Sequence, residues 1–360
     1  MKLGIVGLPN VGKSTLFNAL TGAGAETGSY TNASAKPNLG SARVPDARLD
    51  WLAEYYHPKK YSPASIDFVD VAGVSRGTGK GNAFLQTIRQ TDALVHVVRC
   101  FENDELFLEP ADPRRDAEDL DMELILADIE VVERRLDKAK KSAKSGDKKS
   151  KREVEMCEAL LSHLSDGKAA RFFEFTEEDQ DILQDGGLLT VKPVIYAANL
   201  DEGGMAGYQD NPHFQALAAL AAEQGAAVLP VAAKFEEDIA DMDPEEAAVF
   251  MEELGLTERG LDRLIRTSYE LLGYISFLTA GEDDVHAWTI VRGTKAPRAA
   301  GKIHSDIERG FIRAEIVAFE DLKACGSMAA ARDKGLLRLE GKDYVMQDGD
   351  VTNFRFNVSK

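Results

Sequence analysis

The chain has few cysteines and no long hydrophobic run, and each shortage excludes a class of protein. The three cysteines among its 360 residues, Cys100, Cys157 and Cys325, have spacings that fit neither a disulfide framework nor a Cys-x-x-Cys metal site. We interpret them as small apolar residues of a reduced protein. No stretch of about 18 apolar residues occurs, and no signal-peptide pattern precedes the first glycine loop. The sequence therefore predicts a cytoplasmic protein that does not span a membrane.

The chain also has fewer positively charged than negatively charged residues. The chain has 43 Lys and Arg residues against 61 Asp and Glu residues, which gives a formal net charge of −18. A polyanion repels nucleic acid and anionic lipid at long range, so we expect no diffuse binding to DNA or to a membrane. Contact with RNA would require a local basic patch. Since 44% of the residues are apolar, the chain can bury a core, and its length predicts two or three domains.

Short apolar strands alternate with amphipathic helices in two parts of the chain. Residues 3–6, 66–69 and 93–98 have strand composition, and the pattern returns at 188–197 and 226–231. Such alternation is typical of a parallel α/β sheet with right-handed crossovers. The sequence therefore predicts the α/β class, with an insertion that interrupts the sheet domain.

The insertion has the pattern of an antiparallel helical hairpin. Residues 120–136 and 154–164 carry apolar side chains three and four positions apart. The lysine-rich tract 138–152 is predicted at the tip, either as a solvated loop or as a binding site. Further helices are predicted at 244–254 and 261–272.

Alternation of apolar and polar residues returns near the C-terminus and predicts a small β-rich domain. The alternating segments are 287–291, 311–317, 344–345 and 354–358. From these changes in pattern we predict a discontinuous sheet domain at 1–118 and 187–275, a helical hairpin at 119–186 and a β-rich domain at 276–360.

A phosphate-binding loop follows the first predicted strand. Residues 7–14, GLPNVGKS, fit the pattern GxxxxGK[ST] and lie between a strand and a helix, the context that this motif requires. The glycines let successive backbone N–H groups converge on phosphate oxygens, and the start of the helix adds partial positive charge. The loop residues that we assign to nucleotide binding are Asn10, Val11, Gly12, Lys13 and Ser14, together with Thr15.

Side chains in and beyond this loop have the chemistry of nucleoside triphosphate hydrolysis. Lys13 would reach the β- and γ-phosphates, Ser14 would offer its hydroxyl to Mg²⁺, and Thr15 would donate to the α-phosphate. The sequence DVAG follows a strand, so Asp70 is predicted to hold Mg²⁺ through water. The N–H of Gly73 is predicted to sense the γ-phosphate. Lys13 and Gly73 are therefore the candidate catalytic groups.

The element that would recognise the base, NLDE at residues 199–202, follows a later strand. Its guanine-specific form is NKxD, whose aspartate accepts hydrogen bonds from guanine N1–H and from the exocyclic amine. Asn199 can still contact a purine. Leu200 can pack against the base and offer its backbone groups to it, and the side chain of Glu202 can turn away from the base. ATP is therefore at least as plausible a ligand as GTP. The alternative is that these residues only turn the chain.

Taken together, these motifs resemble the YchF subfamily of Obg-like ATPases. The resemblance is carried by GLPNVGKST, DVAG, NLDE, VVRCFEND at 97–104 and AGKIHSDIERGFIRAEI at 300–316, and it extends over essentially the whole chain. It implies a Ras-like P-loop NTPase domain with an inserted α-helical hairpin and a C-terminal β-grasp (TGS) domain. It also implies Mg²⁺-dependent hydrolysis of ATP in preference to GTP, and association with ribosomes or ribosomal RNA.

Departures from related motifs predict slow hydrolysis. Val74 follows DVAG where Ras-type enzymes have a glutamine that orients the attacking water. The histidine that the family often carries after FEND is absent, because residues 106–108 are Leu-Phe-Leu. A partner, a main-chain group or a monovalent cation would then have to complete the site. Asn10 occupies the position of a potassium-binding asparagine in related cation-dependent proteins, so K⁺ is a candidate activator.

Two further assignments follow from comparison with the family pattern. When residues 29–38 are aligned with the corresponding family segment on Pro37-Asn38, the residue whose hydroxyl closes over Mg²⁺ is Ser34, with Thr31 as the alternative. A local RNA or ribosome patch is predicted in the β-rich domain, with a solvated sheet face as the competing interpretation. The patch consists of Lys295, Arg298, Lys302, His304, Arg309 and Arg313.

These observations predict a Mg²⁺-dependent ATPase that acts as a slow nucleotide switch on the ribosome. Two alternatives remain open. One is a GTPase of the same fold. The other is a nucleotide-gated module that binds ribosomes or RNA and uses hydrolysis only to reset itself.

Overall fold

The computed structural model describes residues 2–24, 37–71, 82–144, 147–183, 187–240 and 242–357. The strands are β1 (Lys2–Val6), β2 (Asn38–Arg43), β3 (Lys60–Ser62), β4 (Ser65–Asp70), β5 (Ala93–Arg99), β6 (Val194–Asn199), β7 (Ala227–Val231), β8 (Tyr274–Ala280), β9 (Asp284–Val291), β10 (Phe311–Ala318), β11 (Arg338–Glu340) and β12 (Asp350–Phe356). The first eight helices are α1 (Lys13–Thr21), α2 (Ala47–Tyr56), α3 (Asn82–Arg89), α4 (Pro113–Ala143), α5 (Lys148–Ser165), α6 (Glu177–Leu183), α7 (Glu202–Met205) and α8 (Pro212–Glu223). The others are α9 (Ala233–Ala240), α10 (Pro244–Glu253), α11 (Gly260–Leu271), α12 (Ala296–Ile303), α13 (Ser305–Arg309), α14 (Phe319–Cys325) and α15 (Met328–Asp333).

The first sheet has the strand order β2-β4-β1-β5-β6-β7. β1 runs parallel to β4 and to β5, β5 runs parallel to β6, and β6 runs parallel to β7. β5 and β6 are buried along their whole length, which explains their nearly continuous apolar sequences. Because the carboxyl ends of parallel strands meet at one edge, the segments that follow β1, β4, β5 and β6 converge there.

Helices α4 and α5 form the predicted hairpin, but the lysine-rich tract is not a loop at its tip. α4 continues to Ala143 and α5 begins at Lys148, so only residues 144–147 separate the two helices. Lysine and alanine favour helix, and the side chain of Asp147 caps α5 by accepting a hydrogen bond from the Ser150 N–H at 2.9 Å. The loop interpretation of residues 138–152 was therefore wrong.

A buried carboxylate joins the hairpin to the segment that leads into β6. Asp128 of α4 is fully buried and accepts hydrogen bonds at 2.8 Å from the backbone N–H groups of Leu189 and Thr190. The Thr190 hydroxyl donates to the same carboxylate at 2.6 Å. A carboxylate with three donors satisfies its hydrogen-bonding needs without water, so this contact fixes the base of the hairpin against the sheet domain.

The chain divides into two compact units. One contains Met1–Ser41 and Asp67–Leu264, and the other contains Ala42–Ile66 and Ile265–Lys360. Segment 42–66, which the sequence-based boundaries placed in the sheet domain, therefore belongs to the unit that contains the C-terminal residues. In that unit β3 pairs in parallel with β9, a pairing that no local pattern predicts.

The second sheet has the order β11-β10-β12-β8-β9-β3. The predicted strands at 287–291, 311–317 and 354–358 correspond to β9, β10 and β12, although β12 already begins at Asp350. The strand predicted at 344–345 was wrong, since Val345 makes only an isolated bridge with Lys295. Among the described helices, none has the length and apolarity needed to cross a bilayer.

The predicted basic patch lies in this second unit, and acidic neighbours offset much of its charge. Its ion pairs are Lys295 with Asp343, Arg298 with Glu308, Arg309 with Asp306, and Arg313 with Glu315, and the ring of His304 lies next to Asp306. The exposed pairs among them contribute little to stability, about 0 to 1 kcal/mol each, but all of these pairs reduce the local positive potential. The surface is therefore less basic than its sequence indicates.

Candidate nucleotide-binding site

The loop between β1 and α1 has the backbone that a phosphate cradle requires. Gly7 and Gly12 have φ values of 154° and 97°, a region that favours glycine. A Cβ atom on Gly7 would lie 2.5 Å from the Val97 carbonyl oxygen, and one on Gly12 would lie 2.4 Å from Asn199 Nδ2. Both positions therefore exclude any side chain. Gly12 is also the N-cap of α1, so the positive end of this helix points into the loop.

Lys13 is the first residue of α1, and its ammonium group turns back over the loop. The residue is only 7% exposed, and Nζ donates to the Leu8 carbonyl oxygen at 2.6 Å. Burial lowers the pKa of Lys13 to about 8, although the nearby Asp70 carboxylate acts in the opposite direction. A phosphate oxygen at this position would offset the cost of burying the cation. The geometry thus agrees with the role that the motif predicts for Lys13.

Ser14 and Asp70 provide oxygen ligands next to the loop. The Asp70 carboxylate ends β4, and its Oδ2 accepts from Ser14 Oγ at 2.8 Å and from Asn38 Nδ2 at 3.4 Å. Its Oδ1 is buried and has no hydrogen-bond donor among the described residues. A hydroxyl oxygen beside a carboxylate oxygen without a donor suits Mg²⁺, which prefers hard oxygen ligands and retains several of its waters. The residues present therefore fit this ion.

Four residues of the predicted site cannot be placed. Ser34 and its alternative Thr31 lie outside the described residues, and so do Gly73 and Val74. Their assignments stay predictions. Of the remaining loop residues, Val11 is buried, Thr15 is half-buried in the first turn of α1, and Asn10 is exposed with a φ of 64°.

Asn199 holds the phosphate loop in place, a role that the sequence analysis missed. It ends β6 and is 5% exposed. Its Nδ2 donates to the Val11 carbonyl oxygen at 2.9 Å, and its Oδ1 accepts from the Ala233 N–H at 3.0 Å. One amide group thereby joins the loop to the start of α9. The predicted motif at 199–202 identifies Asn199. Only the fold reveals its hydrogen bond to Val11, which is 188 positions away in the sequence.

The remaining residues of the NLDE segment separate into a buried and an exposed part. Leu200 is buried in the apolar core, and its N–H donates to the Val231 carbonyl oxygen at 2.8 Å. Asp201 caps the short helix α7 by accepting from the Gly204 N–H at 2.7 Å. Glu202 is exposed at the start of that helix. Its carboxylate can therefore turn toward solvent, as the sequence analysis expects.

Two family models match the chain. A model described as 50S ribosome-binding GTPase matches residues 2–138. The model named YchF-GTPase_C, which is described as a protein of unknown function, matches residues 274–357.

Curated relatives match the chain over its full length. Ribosome-binding ATPase YchF of Bacillus subtilis is 50% identical over 361 residues, which cover 99% of each chain. The protein of the same name from Escherichia coli O157:H7 is 46% identical over 366 residues, again 99% of each. Obg-like ATPase 1 of Oryza sativa subsp. japonica is 44% identical over 369 residues, covering 100% of this chain and 93% of the relative.

A solved structure has the same fold. The structure of the Schizosaccharomyces pombe YchF GTPase superposes with a TM-score of 0.86 at 36% sequence identity. The match covers 99% of this chain and 97% of the fungal chain. The similarity therefore includes the phosphate loop, the hairpin and the C-terminal sheet.

Proposed function

The chain belongs to the YchF family of P-loop nucleoside triphosphatases, and we propose that it hydrolyses ATP to ADP and phosphate as a slow, Mg²⁺-dependent switch. The observation that carries the proposal is the buried ammonium of Lys13, which lies at the N-terminus of α1 beside the Ser14–Asp70 pair. A cation, oriented N–H groups and oxygen ligands for a metal are the groups that phosphoryl transfer requires.

The protein groups act by positioning and by stabilising charge. The loop N–H groups and Lys13 bind the β- and γ-phosphates and stabilise the negative charge that develops as the bond to the γ-phosphoryl group breaks. Ser14 and Asp70 would hold Mg²⁺, which supplies further charge neutralisation at the phosphates when bound. Asn199 keeps the loop in its binding conformation through the Val11 carbonyl. The proposal also retains Gly73 as the sensor of the γ-phosphate, Ser34 as a further metal ligand and K⁺ near Asn10.

ATP is the proposed substrate because the fourth position of NLDE is Glu202, where the guanine-specific form NKxD has an aspartate. In competition with a fluorescent nucleotide, we expect ATP to displace the probe at lower concentration than GTP does. We expect Glu202→Asp, which restores the aspartate of the guanine-specific form, to shift the ratio of the two affinities toward GTP by about tenfold, the effect of one or two hydrogen bonds. More effective displacement by GTP from the unaltered protein would favour the GTPase alternative.

We further propose that the protein works in the cytoplasm as a nucleotide-gated ribosome-binding factor. The support is that relatives matching nearly the whole chain are named ribosome-binding ATPases. In co-sedimentation with ribosomes, we expect the fraction of protein in the pellet to differ between ADP and a non-hydrolysable ATP analogue. Lys13→Ala, in which nucleotide binding is expected to be about a hundredfold weaker, should pellet equally under both conditions at nucleotide concentrations too low to saturate the variant. Equal pelleting of the unaltered protein would argue against gating.

A further inference from the structure

Arg99 is a buried cation at the edge of the sheet where the nucleotide-binding segments meet. It is the last residue of β5 and is only 3% exposed. No step of the mechanism above uses it. An arginine in such a position carries a large desolvation cost, so the partners of its guanidinium group indicate what it does.

The register of the sheet places Arg99 beside the residue that holds the phosphate loop. In the parallel pair β5–β6, Arg99 is opposite Asn199 and Val97 is opposite Ala197. Side chains at paired positions lie on the same face of a sheet, and those two residues apart along a strand share that face too. Asn199 contacts the loop at Val11, and the Val97 carbonyl lies against Gly7. The Arg99 side chain is therefore on the same face of the sheet as the Asn199 amide, at the end of the strand that lies between β1 and β6.

Only part of the hydrogen-bonding capacity of the Arg99 guanidinium group is satisfied by the described residues. Nη2 donates to the Glu109 carbonyl oxygen at 3.0 Å, and the Phe107 ring lies over the group, 3.8 Å from Cζ to the ring centroid. Nε and Nη1 are buried and have no acceptor among the described residues. These contacts hold the loop that follows β5, but they leave two N–H donors of a charged group without a partner. Leaving donors of a buried charged group unpaired is costly, so acceptor atoms of a bound ligand would stabilise Arg99.

We propose that Arg99 donates hydrogen bonds to the ribose hydroxyl groups of the bound nucleotide. This inference rests on the proposed function, because it assumes that a nucleoside triphosphate occupies the loop. In such a ligand the sugar joins the phosphates to the base, and the strand that Arg99 ends lies between the strands that lead into the elements assigned to those two parts. Hydroxyl oxygens accept hydrogen bonds from a guanidinium group, and the planar fork can serve two acceptors at once. Arg99 is then a specificity residue for the nucleoside half.

Inorganic tripolyphosphate separates this role from a structural one, because it fits the phosphate loop and has no sugar. With Mg²⁺ present, we expect Arg99→Met to weaken ATP binding by about tenfold to a hundredfold, the effect of losing hydrogen bonds to a charged group. Binding of tripolyphosphate should change by less than about twofold. Arg99→Lys, which keeps a donor, should recover part of the affinity for ATP. The dissociation constants come from titration calorimetry.

A second ligand identifies the acceptor. The unaltered protein should bind 2′,3′-dideoxy-ATP more weakly than ATP, and Arg99→Met should bind the two with nearly equal affinity. Phe107→Leu is the matched control, since it removes the ring from the guanidinium group and leaves the donors in place. It should preserve discrimination between ATP and dideoxy-ATP. The thermal unfolding midpoint without ligand, expected to be similar for all variants, checks that each one folds.

The outcomes are distinct. Equal losses for ATP and tripolyphosphate, or no loss for ATP, would overturn the role of Arg99, and so would equal binding of ATP and dideoxy-ATP by the unaltered protein. If the unaltered protein bound neither ATP nor tripolyphosphate, the proposed function itself would fail.

Discussion

Replacement of Lys13 by alanine is expected to weaken the binding of Mg²⁺-ATP by about a hundredfold and to abolish measurable hydrolysis. The variant loses the only side-chain ammonium described in the loop, which lies 2.6 Å from the Leu8 carbonyl and turns back over the phosphate cradle. The loop N–H groups and the helix terminus remain, so some affinity for phosphate should persist. Titration calorimetry gives the affinity, and release of inorganic phosphate gives the rate.

Lys234→Ala is a suitable control for this experiment. Lys234 is an exposed residue of α9 that pairs with Asp238 at 2.7 Å and with Glu237 at 3.4 Å. Its replacement removes the same charge from the protein and leaves the loop intact, so binding and hydrolysis should stay within about twofold of the unaltered protein. If Lys13→Ala bound ATP as tightly as this control does, the assignment of the phosphate site would have to be abandoned.

Asp70→Asn is expected to raise the Mg²⁺ concentration needed for half-maximal hydrolysis by about tenfold to a hundredfold, and to lower kcat by a similar factor. The amide is nearly the same size as the carboxylate, and its oxygen can still accept from Ser14 Oγ. It loses the negative charge that favours a divalent ion, so the effect should fall on the metal and not on the fold. Hydrolysis measured over a series of Mg²⁺ concentrations tests this expectation.

Asp67→Asn provides the matched comparison, because Asp67 is on the same strand and accepts a hydrogen bond from Ser41 Oγ. This variant should have the same Mg²⁺ dependence as the unaltered protein. A parallel change in both variants would mean that the strand, and not the metal site, is responsible. An unchanged Mg²⁺ dependence in Asp70→Asn would show that the carboxylate does not hold the ion.

Short local patterns predicted much of the fold and of the site. The Ras-like P-loop fold and the membership in the YchF family are confirmed by matches that extend over the whole chain. The phosphate loop is predictable because one run of eight residues contains both its glycines and its cation. The lysine-rich tract was misinterpreted because charge suggested a loop, whereas the helix propensity of lysine and alanine decides its conformation.

Contacts between distant residues account for what the sequence did not predict. β3 pairs with β9 more than 200 residues later, so nothing near residues 60–62 indicates their place in the second sheet. The hydrogen bond between Asn38 and Asp70 joins the first residue of β2 to the last residue of β4, and the two residues share no motif. In the sequence, Arg99 is recognisable only as part of a family motif, since an arginine at the end of an apolar strand has no distinctive pattern. Its importance emerges from its burial and from two donors that have no acceptor in the described part of the chain.

The bond between Asn199 and Val11 also has a consequence for how the protein is made. The loop is synthesised before the amide that secures it, which follows 188 residues later. At about 5–20 residues per second, translation of the intervening stretch takes roughly 10–40 s. During that interval the nascent chain carries the glycines and the lysine without the partner that fixes their geometry. The capacity for tight nucleotide binding is thus acquired only after Asn199 has been synthesised, long after the loop that carries the motif.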